Sequence, residues 1–244
     1  MGSSEAATDG RTVVIGDVHG CREELEALLA AVGFAPRVDR AVFVGDLVAR
    51  GPDARGVLEL VRRYGAHAVR GNHEDHLLRG RIDPTRVSGE YRRLAEEFSA
   101  EDWRTLEAMP LWLDLPEHEL RVVHAGVVPG RPIEDTPPDA LLRIRAIDER
   151  GGWTDDKKAP VLWGTVYEGP PHVVFGHNAL AEPQLCEWAT GIDTGCVYGG
   201  RLTALVLGAG EPVPRGSGAL TRLVSVPAKR VYRAIGDKKD GGSS

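Results

Sequence analysis

A chain of 244 residues, 42% hydrophobic and 27% charged, is long enough to bury one sizeable core and has the composition of an ordinary soluble protein. Its formal net charge of -6 lacks the basic excess of a dedicated nucleic-acid binder, and no apolar run reaches the roughly 20 residues that span a bilayer. Cys21, Cys186 and Cys196 form no CxxC pair and are odd in number, which argues against a disulfide framework and for a reducing compartment.

Residues 1–9 are small and polar with no apolar segment of a secretory signal, so a cytoplasmic protein with no membrane or nucleic-acid partner is expected. Composition marks 1–9 and 236–244 as mobile tails around a single domain at 10–235. Val13-Val14-Ile15 reads as a buried strand. Leu25, Leu28, Leu29 and Val32 then fall on one helical face. Val42-Phe43-Val44 is a second strand. After a turn at Arg50-Gly51-Pro52, Val57, Leu60, Val61 and Tyr64 mark a helix, with Pro52 suited to its first turn. Ala68-Val69-Arg70 is a third strand, followed by a helix from Asn72 through Leu78.

Residues 85–108 read as a solvent-rich helical insert without recognisable chemistry, with a capping box at Ser99 and Asp102. Strands are expected at 111–115 and 120–124, then a Pro-rich stretch, an apolar segment at 141–147 of open type, and a loop at 151–159. The last third reads as strands at 172–176, 184–192, 201–207 and 222–226. Alternating units followed by strands point to an α/β fold of two mixed sheets flanked by helices.

One grammar recurs at the strand ends. Gly16-Asp17-Val18-His19-Gly20, Gly45-Asp46, Gly71-Asn72, His124-Ala125-Gly126 and Gly176-His177 each place an oxygen or nitrogen donor beside glycine after a short apolar run. Asp17 and His19, two apart in an extended segment, are expected to point to the same side. Ligands in open α/β sheets bind beyond the carboxyl ends of strands. Two metals about 3.5–4 Å apart need a bridging ligand, and Asp46 is the middle carboxylate. Asp17 and His19 would complete the shell of one ion, and Asn72, His124 and His177 that of the other. Carboxylate, amide and imidazole together suit manganese first, with iron, cobalt or zinc as alternatives.

These blocks, with Arg50-Gly51 and His73-Glu74, resemble the calcineurin-like metallophosphoesterases in their phosphoprotein-phosphatase branch, over residues 12–207. The resemblance implies a four-layer αββα sandwich, two divalent metal ions and attack on phosphorus by the hydroxide that bridges them. It makes His73 the candidate general acid or leaving-group donor and Arg50 a phosphate clamp. Arg143 and Arg145 are candidate second phosphate contacts, with a solvated face as the alternative. Tyr198 is a candidate to stack on or bond to substrate, with a packed tyrosine as the alternative.

Protein serine/threonine phosphatases carry an aspartate three residues after the bridging one, where this chain has Ala49. Residues 45–52 and Ile192-Asp193-Thr194-Gly195 through Thr203 instead resemble the symmetrical diadenosine tetraphosphate hydrolases. Symmetrical cleavage of diadenosine tetraphosphate to two ADP is therefore the first expectation. A phosphoprotein phosphatase is the second and a non-catalytic binding module of the same fold the third. A nucleoside diphosphate leaves as a phosphate with a second pKa of about 6 and needs far less protonation than a serine alkoxide.

Overall fold

The computed structural model describes residues 2–4 and 10–234. The expected tail at 236–244 lies outside that range, as does most of 1–9. Ser3–Ser4 is the exception, because it forms a strand, β1. The first half then runs β2 (Thr12–Ile15), α1 (Arg22–Ala31), β3 (Arg40–Phe43), α2 (Ala54–Arg63), β4 (His67–Ala68), α3 (Asn72–Ile82), α4 (Gly89–Glu97) and α5 (Ala100–Glu107). Next come β5 (Trp112–Leu115), β6 (Leu120–Val123), α6 (Pro138–Arg143), β7 (Ala146–Ile147), β8 (Trp153–Thr154) and β9 (Val161–Leu162). The chain closes with β10 (His172–Phe175), β11 (Gln184–Leu185), β12 (Ala189–Gly191), β13 (Arg201–Leu207) and β14 (Leu223–Pro227).

Two mixed sheets stack face to face. One has the order β14-β13-β2-β3-β4 and the other β1-β5-β6-β10-β12-β11. In the first, β2, β3 and β4 are parallel and β13 runs against β2. In the second, β6, β10 and β12 are parallel. The period-2 alternation of strand side chains builds three apolar layers from this pair. Val14, Val42 and Val69 meet Leu113, Val122 and Val174 between the sheets. Val13, Ile15 and Phe43 point the other way, against Leu25, Leu28, Val57 and Leu60 of α1 and α2. Val123, Val173 and Phe175 pack outward against Leu141 and Trp163. Each fully buried aliphatic side chain stabilises the fold by about 1.5–3 kcal/mol.

The structure departs from the sequence reading in several places. Pro52 precedes helix α2, and Asp53 caps it by accepting from the Gly56 N–H at 2.8 Å. An aspartate in that position satisfies a free helix donor, which proline cannot do. The strand expected at 184–192 is two antiparallel strands, β11 and β12. The open segment 141–147 and the expected loop 151–159 contribute β7 and β8 to a small sheet of order β8-β7-β9. The capping box at Ser99 is present, with Asp102 N to Ser99 Oγ at 3.2 Å and Ser99 N to Asp102 Oδ2 at 2.9 Å. Among the described residues, no helix is long and apolar enough to cross a membrane.

Candidate metal centre

Parallel strands β2, β3, β6 and β10 all end on one crest, and the segments that follow them carry the donors. Asp46 sits at its middle. Its Oδ2 lies 3.6 Å from His19 Nε2, 3.5 Å from His124 Nε2 and 3.9 Å from His73 Nε2. Donor atoms of His19, Asp46 and His73 form one group within 4.8 Å, and those of Asp46, His124 and His177 form a second. Asp46 is the member common to both, which is the place a bridging carboxylate requires. Asn72 Oδ1 lies 3.0 Å from His124 Nε2 and 2.9 Å from His177 Nδ1. Asp17 accepts from the His177 backbone N–H at 3.1 and 3.2 Å.

The donors reach these positions through unusual backbone. His19, Asp46, Ala49, Arg50 and His177 have φ of 48°, 51°, 65°, 70° and 65°. Among the described residues, Arg37 and Glu119 are the other non-glycine positions with positive φ. Each such residue costs about 1–3 kcal/mol, and clustering at one place is the mark of a site held for function. His19 is therefore not in an extended segment with Asp17, as the spacing suggested, because the chain turns at His19 itself. The glycines beside the donors make room for them. A Cβ on Gly71 would lie 2.2 Å from Asp46 Oδ1, and one on Gly176 would lie 1.9 Å from Asp17 Oδ1.

Hydrogen bonding fixes which imidazole nitrogens are free. His124 Nδ1 is 2.9 Å from the Val44 carbonyl and His19 Nδ1 is 3.2 Å from the Val48 carbonyl. A carbonyl only accepts, so both Nδ1 atoms carry the proton and both Nε2 atoms present lone pairs to the Asp46 carboxylate. Burial drives His124 down to about 4, and drives His19, His73 and His177 well below the usual histidine range. Burial raises Asp46 to about 6, and burial with neighbouring Asp193 and Asp46 raises Asp17. Lone pairs of neutral imidazoles face carboxyl groups that burial and crowding make hard to ionise, an arrangement that a bound cation relieves. His177 Nε2 is buried with no hydrogen-bond partner among the described residues. A divalent cation satisfies all of these atoms at once, and the Nδ1–H to carbonyl pattern is that of metal-bound histidine. The donor set therefore fits two divalent ions and lacks the thiolates of a closed structural zinc site.

Other expected residues sit around this core. Arg50 Nη1 is 3.2 Å from His19 Nε2, and its guanidinium lies 5.5 Å from the centre of the Tyr198 ring. Tyr198 is thus a partner of Arg50, and both are partly exposed at the crest. Arg145 donates from Nη1 to Asn178 Oδ1. Arg143 and Arg145 place their positive charge where it acts on Asp46 and His177. Trp163 is core, with its Nε1 donating to the Ala125 carbonyl at 3.0 Å.

Four residues were not assigned a role from the sequence. Asp193 is buried beyond β12, and burial raises it to about 6 beside Asp46. Its signal was present, since it follows a short apolar strand and precedes Gly195 as the ligands do. Glu74 is fully buried and accepts from the backbone N–H groups of Asp46, Leu47, Val48 and Gly71 at 2.8–3.2 Å. Burial and Asp46 push it up to about 7, while those four donors favour its anion. Glu90 and Tyr91 come from the first turn of α4. Glu90 Oε1 accepts from the Arg50 backbone N–H, and the Tyr91 hydroxyl is 2.6 Å from His73 Nδ1. The helical insert therefore carries chemistry, contrary to its sequence reading.

The family model described as calcineurin-like phosphoesterase matches residues 10–207. A relative from Halalkalibacterium halodurans, the asymmetrical bis(5'-nucleosyl)-tetraphosphatase PrpE, is 34% identical over 222 residues, covering 79% of this chain and 88% of its own. A symmetrical bis(5'-nucleosyl)-tetraphosphatase from Shewanella baltica is 43% identical over 135 residues, covering 52% of this chain and 48% of its own. A solved structure provisionally described as a diadenosine tetraphosphatase is 34% identical, with a TM-score of 0.81 over 93% of this chain and 97% of that one.

Proposed function

The chain belongs to the calcineurin-like phosphoesterases, and from that premise we propose that it hydrolyses diadenosine tetraphosphate at a phosphoanhydride bond. The observation that carries the reading is the Asp46 carboxylate shared between two donor groups, with the unprotonated Nε2 atoms of His19 and His124 turned toward it. Two divalent ions, when bound, supply Lewis-acid charge and lower the pKa of a water near neutral pH. Asp17, His19 and Asp46 would hold one ion, and Asp46, Asn72, His124 and His177 the other, with manganese as the first choice.

The residues of the chain do the rest. Arg50, held against Tyr198 and beside His19, is placed to bind a phosphoryl oxygen. Arg145 and Arg143 offer positive charge on the opposite flank for the remaining phosphates. His73 Nε2 faces the crest and is positioned toward a leaving oxygen. The bis(5'-nucleosyl)-tetraphosphatase names of the relatives support a nucleoside polyphosphate over a phosphoprotein. Three cysteines without a disulfide fit a cytoplasmic setting.

Symmetrical cleavage is the reading drawn from residues 45–52 and 192–203. Asymmetrical cleavage is the second reading, favoured by the relatives that match along most of the chain. Chromatography of an early time point with diadenosine tetraphosphate, run with Mn²⁺ and again with a chelator, tests both. ADP alone means cleavage of the central phosphoanhydride bond, and ATP with AMP means cleavage of an outer one. Faster turnover of a phosphoserine peptide, or nucleotide turnover that survives chelation, would overturn the proposal.

A further inference from the structure

Tyr91 is partly buried, and among the described residues the only hydrogen-bond partner of its hydroxyl is His73 Nδ1, at 2.6 Å. A partly buried O–H with one protein acceptor within reach donates to it, since a donor held away from water and left unmade costs up to about 1–3 kcal/mol. Nδ1 must then present its lone pair. A neutral imidazole with a lone pair on Nδ1 carries its proton on Nε2. Nε2 is the atom that faces the crest, 3.9 Å from Asp46 Oδ2. The Tyr91 ring is itself fixed, edge-on to His76 at 4.4 Å between centroids and tilted against His73 at 5.7 Å. Among the described residues, no carboxylate is hydrogen-bonded to His73 Nδ1.

We infer that Tyr91 is a positioning residue that holds His73 as a neutral Nε2–H donor, and that this pair restricts the site to phosphoryl groups with good leaving oxygens. The inference rests on the reading of His73 as the group at the leaving oxygen. The oxygen of a water or hydroxide forms the new bond to phosphorus, and the old P–O bond breaks with both its electrons going to the leaving oxygen, which departs as an anion. His73 shares its Nε2–H in a hydrogen bond and transfers no proton, so an imidazolate never forms. A phosphate leaving group, whose second pKa is about 6, departs readily on those terms, whereas an alkoxide needs a proton. A pair of this kind therefore suits phosphoanhydrides and aryl esters and works against phosphoserine.

Phenyl phosphate and 4-nitrophenyl phosphate test the pair without any nucleotide, so a failure of diadenosine tetraphosphate turnover leaves this inference standing. Tyr91→Phe keeps the ring and removes the hydroxyl. It is expected to lower kcat for phenyl phosphate about 3–10-fold, the worth of one hydrogen bond, with a smaller loss for 4-nitrophenyl phosphate and KM nearly unchanged. In a His73→Ala background the same change should have no further effect, because Tyr91 acts through His73. An equal loss on both esters, an undiminished loss without His73, or a fall in bound metal in Tyr91→Phe would overturn it. A readout independent of activity and of the variant is the long-range ¹H–¹⁵N spectrum of the Zn²⁺-loaded wild type, with the His73 signal identified by its absence in His73→Ala. An Nε2–H tautomer is expected, and an Nδ1–H tautomer or an imidazolium at pH 7.5 would refute the inference even if Tyr91→Phe does not fold.

Discussion

His124 reaches the candidate metal centre from the end of β6, and Tyr91 reaches the same centre from the first turn of α4. The two routes have little in common. A strand-end donor is positioned by the few residues around it: an apolar run that is buried, a glycine that gives room, and a backbone turn that aims the side chain. A helix-borne donor is positioned by where the whole helix docks, and nothing within four residues of Tyr91 specifies that. The crest is thus a local construction repeated on several strands, and the α4 turn is a tertiary one made once. If this contrast is real, crest substitutions should remove the reaction and α4 substitutions should retune it.

The largest effect is expected at Asp46, the carboxylate shared by both donor groups. Asp46→Asn should lower kcat by more than about 10²-fold, beyond the 10–100-fold typical of residues that merely support a metal ligand. It should also lower the metal bound per chain while thermal unfolding stays cooperative. Near-native turnover at saturating Mn²⁺ would dissolve the distinction between crest and support. Glu74 ranks next. Its two oxygens take four backbone N–H groups, and an amide would turn an NH₂ toward at least one of them. Glu74→Gln should cost about 10–100-fold in metal affinity or activity. A metal titration that matches wild type would show that the loop holds its shape unaided.

Glu90 probes the other region. It accepts from the N–H of Arg50, in a stretch where Ala49 and Arg50 both have positive φ. Its other oxygen is 3.5 Å from Arg233 Nη1. Removing the acceptor frees strained backbone to relax and lets Arg50 drift. Glu90→Ala should weaken inhibition by inorganic phosphate about 3–10-fold, with bound metal unchanged. Glu90→Gln, which keeps an acceptor oxygen, should recover most of that loss. Loss of metal in Glu90→Ala would mean that α4 builds the crest and does not merely tune it.

The same contrast explains what could be read from the sequence. The sandwich was legible because buried strands and amphipathic helices carry their own periodicities, and β13 ended where the apolar alternation did. Asp17, His19, Asp46, Asn72, His124 and His177 were legible as a set because each follows an apolar run and adjoins or lies near a glycine. Asp193 obeyed that grammar and could have joined the set. Pro52 misled because its φ suits a helix start, while Asp53 supplied the cap that the helix needed. Glu90 and Tyr91 were illegible because α4 shows only a polar amphipathic pattern, and its docking depends on contacts with α3 and with the loop at Arg50.

The smallest effect is expected at the far end of a crest strand. β10 begins with His172 and delivers His177 just past its other end, so one strand carries a buried histidine at each extremity. His172 is bonded through Nε2 to Thr190 Oγ1 at 2.9 Å, and its Nδ1 has no hydrogen-bond partner among the described residues. Burial lowers its pKa to about 4. The unfolded chain, with an ordinary histidine near 6.5, takes up this proton first as the pH falls. The stability that His172 contributes as a neutral side chain is therefore complete above about pH 6.5 and is lost progressively down to about pH 4. At pH 5.5 the loss is about 1.4 kcal/mol, which for a chain of this size moves Tm by roughly 3–6 °C. His172→Gln removes the titration and keeps a side chain able to bond Thr190, so its Tm should fall less than wild type between pH 7 and 5.5. The kcat of the variant at pH 7.5 should stay within about twofold of wild type, since nothing at that end of β10 touches the crest. Parallel Tm–pH curves would mean that the buried ring is protonated or solvated when folded. A large fall in kcat would mean that the two ends of β10 are coupled, and that the strand transmits more to the crest than its own last residue.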